Sequence, residues 1–169
     1  MKNKSALTYY TLLLTCIVSI LTVENATAQE YGIFEITNNN TLLKTAVSKS
    51  NDRDGFYKLA QNLHTTAYIN NNAISKIYGE GTVQKITFGD SQSFGVLNNS
   101  DYNNVELITI TLKKQSDLNN RLDLTVNKNL GKLKYVFIKC YFKCTADQIE
   151  KFITSNSNVR VFYSTEIPS

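Results

Sequence analysis

The residues of this chain best equipped for chemistry are few: one histidine, two neighbouring cysteines and a handful of carboxylates near glycines. His64 is the only histidine. To act as a base it needs a nucleophile or carboxylate held beside it, and no Gly-x-Ser-x-Gly or Cys-His signature accompanies it. It falls at the end of the first predicted helix, where a donor side chain suits exposed carbonyls. Gly79-Glu80-Gly81 and Gly89-Asp90 each join a flexible turn to a carboxylate, and Glu106 follows. Paired carboxylates cleave glycosides when they stand ~5–9 Å apart across a sugar. The plainer expectation is that Glu80 and Asp90 belong to turns flanking a strand at 82–88. Asn51-Asp52-Arg53-Asp54-Gly55 has the oxygens and glycine of a calcium loop. With Gly55 in sixth place, however, Ser50 is first and Gln61 twelfth, so the opening aspartate and the closing glutamate are both absent. Helix capping by Asp54 accounts for the same residues. No zinc motif, phosphate-cradling loop or dinucleotide fingerprint is present, so no metal or cofactor is expected and no catalytic residue is assigned.

Cys140 and Cys144 enclose Tyr141-Phe142-Lys143. In a continuous strand their Cα atoms would stand ~13 Å apart, whereas a disulfide needs less than ~7 Å. Either the chain bends between them and they pair, or they stay as small buried thiols.

The amino end bears on which of these holds. Lys2 and Lys4 precede an apolar stretch from Leu12 to Val23, and Ala26-Thr27-Ala28 supplies the small residues that signal peptidase reads. Residues 1–28 are therefore expected to be a cleaved export signal, with 29–169 a single globular domain. The stretch is about half of the ~20 apolar residues a spanning helix needs, so no membrane span is expected after cleavage. Thr15 before Cys16, with apolar residues running on beyond it, argues against lipid attachment at Cys16. The expected location is periplasmic or extracellular, in a bacterial setting, where a disulfide is the natural state of paired cysteines. Cleavage takes the net charge from +4 to near +3. Its basic residues are scattered, so nucleic acid is not an expected partner.

Asparagine clusters divide the rest of the chain, among them 38–40, 70–72, 98–99, 103–104 and 119–120. The only proline is Pro168. Asn therefore takes over the turns, since it tolerates left-handed φ and bonds its own backbone. Between the clusters lie strand-like runs at 32–37, 82–88, 105–112, 122–126, 133–142 and 159–163. Two helices are predicted. Asp54 would cap 55–64, with Phe56, Leu59, Ala60 and Leu63 on one face. Thr145 would cap 146–154, with Gln148 completing a capping box and Ile149, Phe152 and Ile153 apolar.

The segment Leu130-Gly-Lys-Leu133-Lys-Tyr-Val136-Phe-Ile138-Lys-Cys-Tyr141 has apolar residues at steps of three, three and two. Apolar pairs one residue apart recur at Ala67/Ile69, Ile86/Phe88, Ile108/Ile110 and Val159/Val161. Starting positions 67, 86, 108, 136 and 159 step by 19, 22, 28 and 23. In this the stretch from about Leu59 to Tyr163 resembles the leucine-rich repeat family, whose repeats run ~20–29 residues. The resemblance implies an α/β fold, an irregular solenoid of parallel strands with short helices returning behind the sheet. The alternative is an α+β domain with an antiparallel sheet of about five strands and two helices.

Strand alternation assigns faces. With Val136 and Ile138 inward, Tyr135, Phe137 and Lys139 point to a second face; with Val159 and Val161 inward, Arg160 and Phe162 join them. Open to solvent, that aromatic and cationic set would suit a protein or glycan partner. Under a helix it would be a second core. The function expected is a non-enzymatic exported interaction protein using this sheet face. The alternatives are a small envelope hydrolase, if Glu80, Asp90 and Glu106 converge, and an inhibitor or immunity-type protein.

Overall fold

The apolar pairs come into register as rungs of one sheet. In the computed structural model, which describes residues 33–36, 50–98 and 102–167, Ala67 lies beside Ile86, Ile86 beside Ile108, Ile108 beside Val136, and Val136 beside Val161. Ile69, Phe88, Ile110, Ile138 and Tyr163 form the next rung. The last strand is offset by two residues, so Val161 rather than Val159 takes the expected place. Because side chains alternate with a period of two, this offset leaves every residue on its predicted face. The export signal at 1–28 lies outside the described residues, which all fall in one unit, Tyr31–Ser169.

The strands are β1 (Ile33–Glu35), β2 (Thr66–Asn70), β3 (Ala73–Tyr78), β4 (Lys85–Phe88), β5 (Leu107–Leu112), β6 (Leu122–Asp123), β7 (Tyr135–Cys140), β8 (Ile153–Thr154) and β9 (Arg160–Thr165). Seven of them form one open sheet in the order β1-β9-β7-β5-β4-β2-β3. Every pairing in it is parallel except β2–β3. The architecture is therefore α/β with a mostly parallel sheet, and the antiparallel five-stranded alternative is overturned. Parallel neighbours need long crossovers. Here those crossovers carry a short 3-10 turn at Ser93–Asn98, another at Gln115–Asn119, and helix α2 (Ala146–Phe152).

The crossovers bury one face of the sheet. Ile86, Phe88, Ile108, Ile110, Val136 and Ile138 pack with Leu97, Leu122, Leu124, Ile149, Phe152 and Ile153 in the main core. Thr145 caps α2 as predicted, with both bonds of the capping box formed: Gln148 N–H donates to Thr145 Oγ1 at 3.3 Å, and Thr145 N–H to Gln148 Oε1 at 3.0 Å. The helix ends earlier than expected, because Ile153 and Thr154 leave it to pair with β6. The predicted alternation at 122–126 yields only the two residues of β6. Asp123 then accepts the N–H and hydroxyl of Thr125, turning the chain and leaving Val126 exposed.

Helix α1 (Ser50–Gln61) lies on the other face. It begins before Asp54, which sits inside the helix and is not its cap. It ends before His64, so Leu63, expected on the apolar face, is fully exposed. β2 and β3 form a hairpin joined by Asn71 and Asn72, with φ of 51° and 59°. These two left-handed asparagines are the turn residues that the Asn clusters predict.

Candidate functional site

On the second face, Tyr135 and Phe162 are buried, at 6% and 1% exposure. The Phe56 ring of α1 lies 5.9 Å from Tyr135, 5.3 Å from Phe137 and 4.5 Å from Phe162. Gly55 permits this approach, since a Cβ there would stand 2.5 Å from the Tyr135 hydroxyl. Together with Leu107 these residues make a second, smaller core. At this end the covered alternative holds, and Tyr135 and Phe162 offer no contact surface. Phe137, Lys139 and Arg160 remain partly exposed. The Lys139 ammonium stands 3.5 Å from Glu166 and 5.5 Å from the Phe137 ring centre.

The carboxylates do not converge. Leu107 is level with Lys85 in the β4–β5 register, which puts Glu106 beside Gln84 at one end of the sheet. Asp90 follows β4 at the opposite end, roughly 15–20 Å away at ~3.3 Å per residue. Glu106 pairs with Lys134 at 2.6 Å. Asp90 is committed to the hairpin turn: it accepts Asn71 N–H at 2.8 Å, Gln92 N–H at 2.9 Å and Ser93 Oγ at 2.7 Å. Burial pushes its carboxyl up, but these bonds outweigh burial and hold it below the usual value. Glu80 is exposed. His64 does not cap α1; its Nδ1 bonds Gln84 Oε1 at 2.9 Å. The cation at that helix end is Lys85, whose ammonium donates to the carbonyls of Ala60 at 3.2 Å and Asn62 at 3.5 Å. Burial pushes its pKa down. Among the described residues no cluster of His, Cys, Asp or Glu could hold a metal ion.

Cys140 and Cys144 pair at disulfide distance, with Cα atoms 6.3 Å apart. Cys140 closes β7, the chain bends at Tyr141 and Phe142, and Thr145 starts the cap of α2. Both cysteines are buried, which suits a structural staple at the strand-to-helix turn.

A different part of the second face is open. α1 covers β7 and β9 but stops near β4, where Lys85 caps it. Beyond that point the pairs Thr66–Tyr78 and Tyr68–Lys76 of the hairpin face a groove of about 730 Å³. Tyr68 and Tyr78 are 39% and 51% exposed, with ring centres 5.4 Å apart and planes nearly perpendicular. The Lys76 ammonium sits 3.9 Å from the Tyr78 ring centre. Gln61, Asn62, Leu63, His64, Ser75 and Lys85 line the rest. β3 is exposed along its whole length, Ile74 and Ile77 included. None of these residues is assigned to a site by the sequence alone. The available signal was Asn71-Asn72 between two runs containing Ile and Tyr, the composition of a two-residue hairpin.

No family model, curated protein or solved structure matches the chain.

Proposed function

We propose that this is an exported, non-enzymatic binding protein that holds its partner at the hairpin end of its sheet. The observation that carries this reading is the open second face over β2 and β3, where Tyr68, Lys76 and Tyr78 meet the end of α1. Aromatic rings with a polar tip, beside cations and the exposed Leu63, are the composition of contact surfaces. With Asp90 and Glu106 at opposite ends of the sheet, Glu80, Asp90 and Glu106 do not meet as a trio, which weighs against the hydrolase alternative. The Ala-x-Ala sequence at 26–28 supports export, and the Cys140–Cys144 pair is compatible with an oxidising compartment. No helix among the described residues is long and apolar enough to cross a membrane. Parallel strands following one another in chain order, with their returns packed on one face, support an irregular leucine-rich-repeat-like solenoid. β1 and β3, added at its two edges, lie outside the repeat.

The test is photo-crosslinking in the envelope of the exporting cell, with a diazirine side chain that inserts into protein and sugar alike. Placed at Leu63, which lines the groove and is fully exposed, it should give a discrete adduct; at the exposed Val126 it should give none. Equal adducts from both positions, or none from Leu63, would overturn the reading.

A further inference from the structure

We infer that the hairpin groove takes an acidic glycan, a chain of sugar rings bearing carboxylate or sulfate groups. This rests on the hairpin end being the contact site. Charge selects the sign of the ligand: the groove's described lining includes Lys76 and Lys85 and no carboxylate. Neither ammonium faces a carboxylate: Lys76 stands over the Tyr78 ring, and Lys85 is held by two carbonyls at the end of α1, whose partial negative charge offsets only part of its own. An anion entering the groove meets net positive charge with no acid to displace.

Shape and chemistry select a sugar over a peptide strand. The exposed Tyr68 and Tyr78 rings meet as a corner, offering the flat apolar surface that the C–H face of a sugar packs on. Hydroxyl and amide groups of Thr66, Ser75, Gln61 and Asn62 border it and can bond sugar hydroxyls. A volume of about 730 Å³ lies within the ~300–1,000 Å³ of ordinary ligand sites. The free edge of β3 is poorly suited to adding a strand. Its ladder to β2 is irregular at Tyr68/Ile69, where the Ser75 hydroxyl bonds the Tyr68 carbonyl, and such irregularities and an edge lysine discourage pairing.

Calorimetric titration of the purified exported protein tests this, with polygalacturonate, alginate, chondroitin sulfate and heparin as probes. At least one should bind. Tyr78→Ala and Lys76→Gln should each weaken that binding roughly tenfold, the loss of about one good contact. Tyr78→Phe should retain it, because the ring does the packing. Removing the charges of the bound probe, by methyl esterification or desulfation, should weaken it by roughly as much. Unchanged melting of each variant shows that the fold is intact. Binding of none of the probes overturns the inference, as does equal binding of polyglutamate or single-stranded DNA, or indifference to Lys76→Gln and to removal of the charges. If the inference fails while a protein adduct from Leu63 persists, the site stands and its partner is a protein. If the Leu63 adduct is also absent, the site itself is wrong.

Discussion

The two ends of the second face have nearly the same composition and opposite fates. At the β7–β9 end stand Tyr135, Phe137, Lys139, Arg160 and Phe162; at the hairpin end stand Tyr68, Lys76, Tyr78 and Lys85. Phe56 of α1 closes the first set into a core. α1 ends short of the second, where Lys85 holds the carbonyls of Ala60 and Asn62, and those rings stay in water. An aromatic and cationic face is therefore neither a core nor a binding surface by composition. The helix above it decides, and its end is held by a lysine on the neighbouring strand.

The difference between the two ends depends most on α1. Phe56→Ala should destabilise the fold by ~3–5 kcal/mol in a denaturant titration, because it removes a buried ring that touches three rings of the sheet. A loss under ~1 kcal/mol would mean that the helix does not close this end. Asp90→Ala should cost ~1–2 kcal/mol by releasing the bonds that tie the hairpin turn to the segment after β4. Since the folded carboxyl has a lowered pKa, its contribution is complete above the unfolded value near ~3.9. It is lost as pH falls through the lower folded value. Wild type and Asp90→Asn should thus converge in stability in strong acid, and a constant difference across pH would contradict the assignment.

The Cys140–Cys144 pair closes a short loop, so replacing both by serine should cost only ~1–2 kcal/mol. Titration of the denatured, unreduced protein should find neither as a free thiol. At the hairpin end the expected effects are smallest. Tyr78→Ala should change stability by no more than ~0.5 kcal/mol, as an exposed side chain does, while still weakening ligand binding.

Much of the sheet was legible in the sequence. Apolar pairs at 67, 86, 108 and 136 mark true rungs because a strand buried against crossovers must repeat its inward pair. The α2 cap was legible because Thr145 and Gln148 act locally. The C-terminal end of α1 was misplaced where its partners are non-local: the carbonyls of Ala60 and Asn62 are held by Lys85, 25 and 23 residues away. The same distance in sequence hid the site. Alternation gave the faces correctly, Tyr135 and Phe162 opposite Val136 and Val161, but no local pattern says how far a helix extends across a face. The carboxylates failed as a cluster because parallel register separates Glu106 from Asp90, and that register is set by pairing across strands.

Tyrosine nitration mapped by mass spectrometry on the folded protein tests the central claim directly, since both ends of the face carry tyrosines. Tyr68 and Tyr78 should be modified readily, at rates like that of the exposed Tyr141, and Tyr135 should be protected until the protein unfolds. Modification of Tyr135 as fast as Tyr78, or protection of Tyr68 and Tyr78 alongside it, would contradict a face closed by α1 at one end and open at the other.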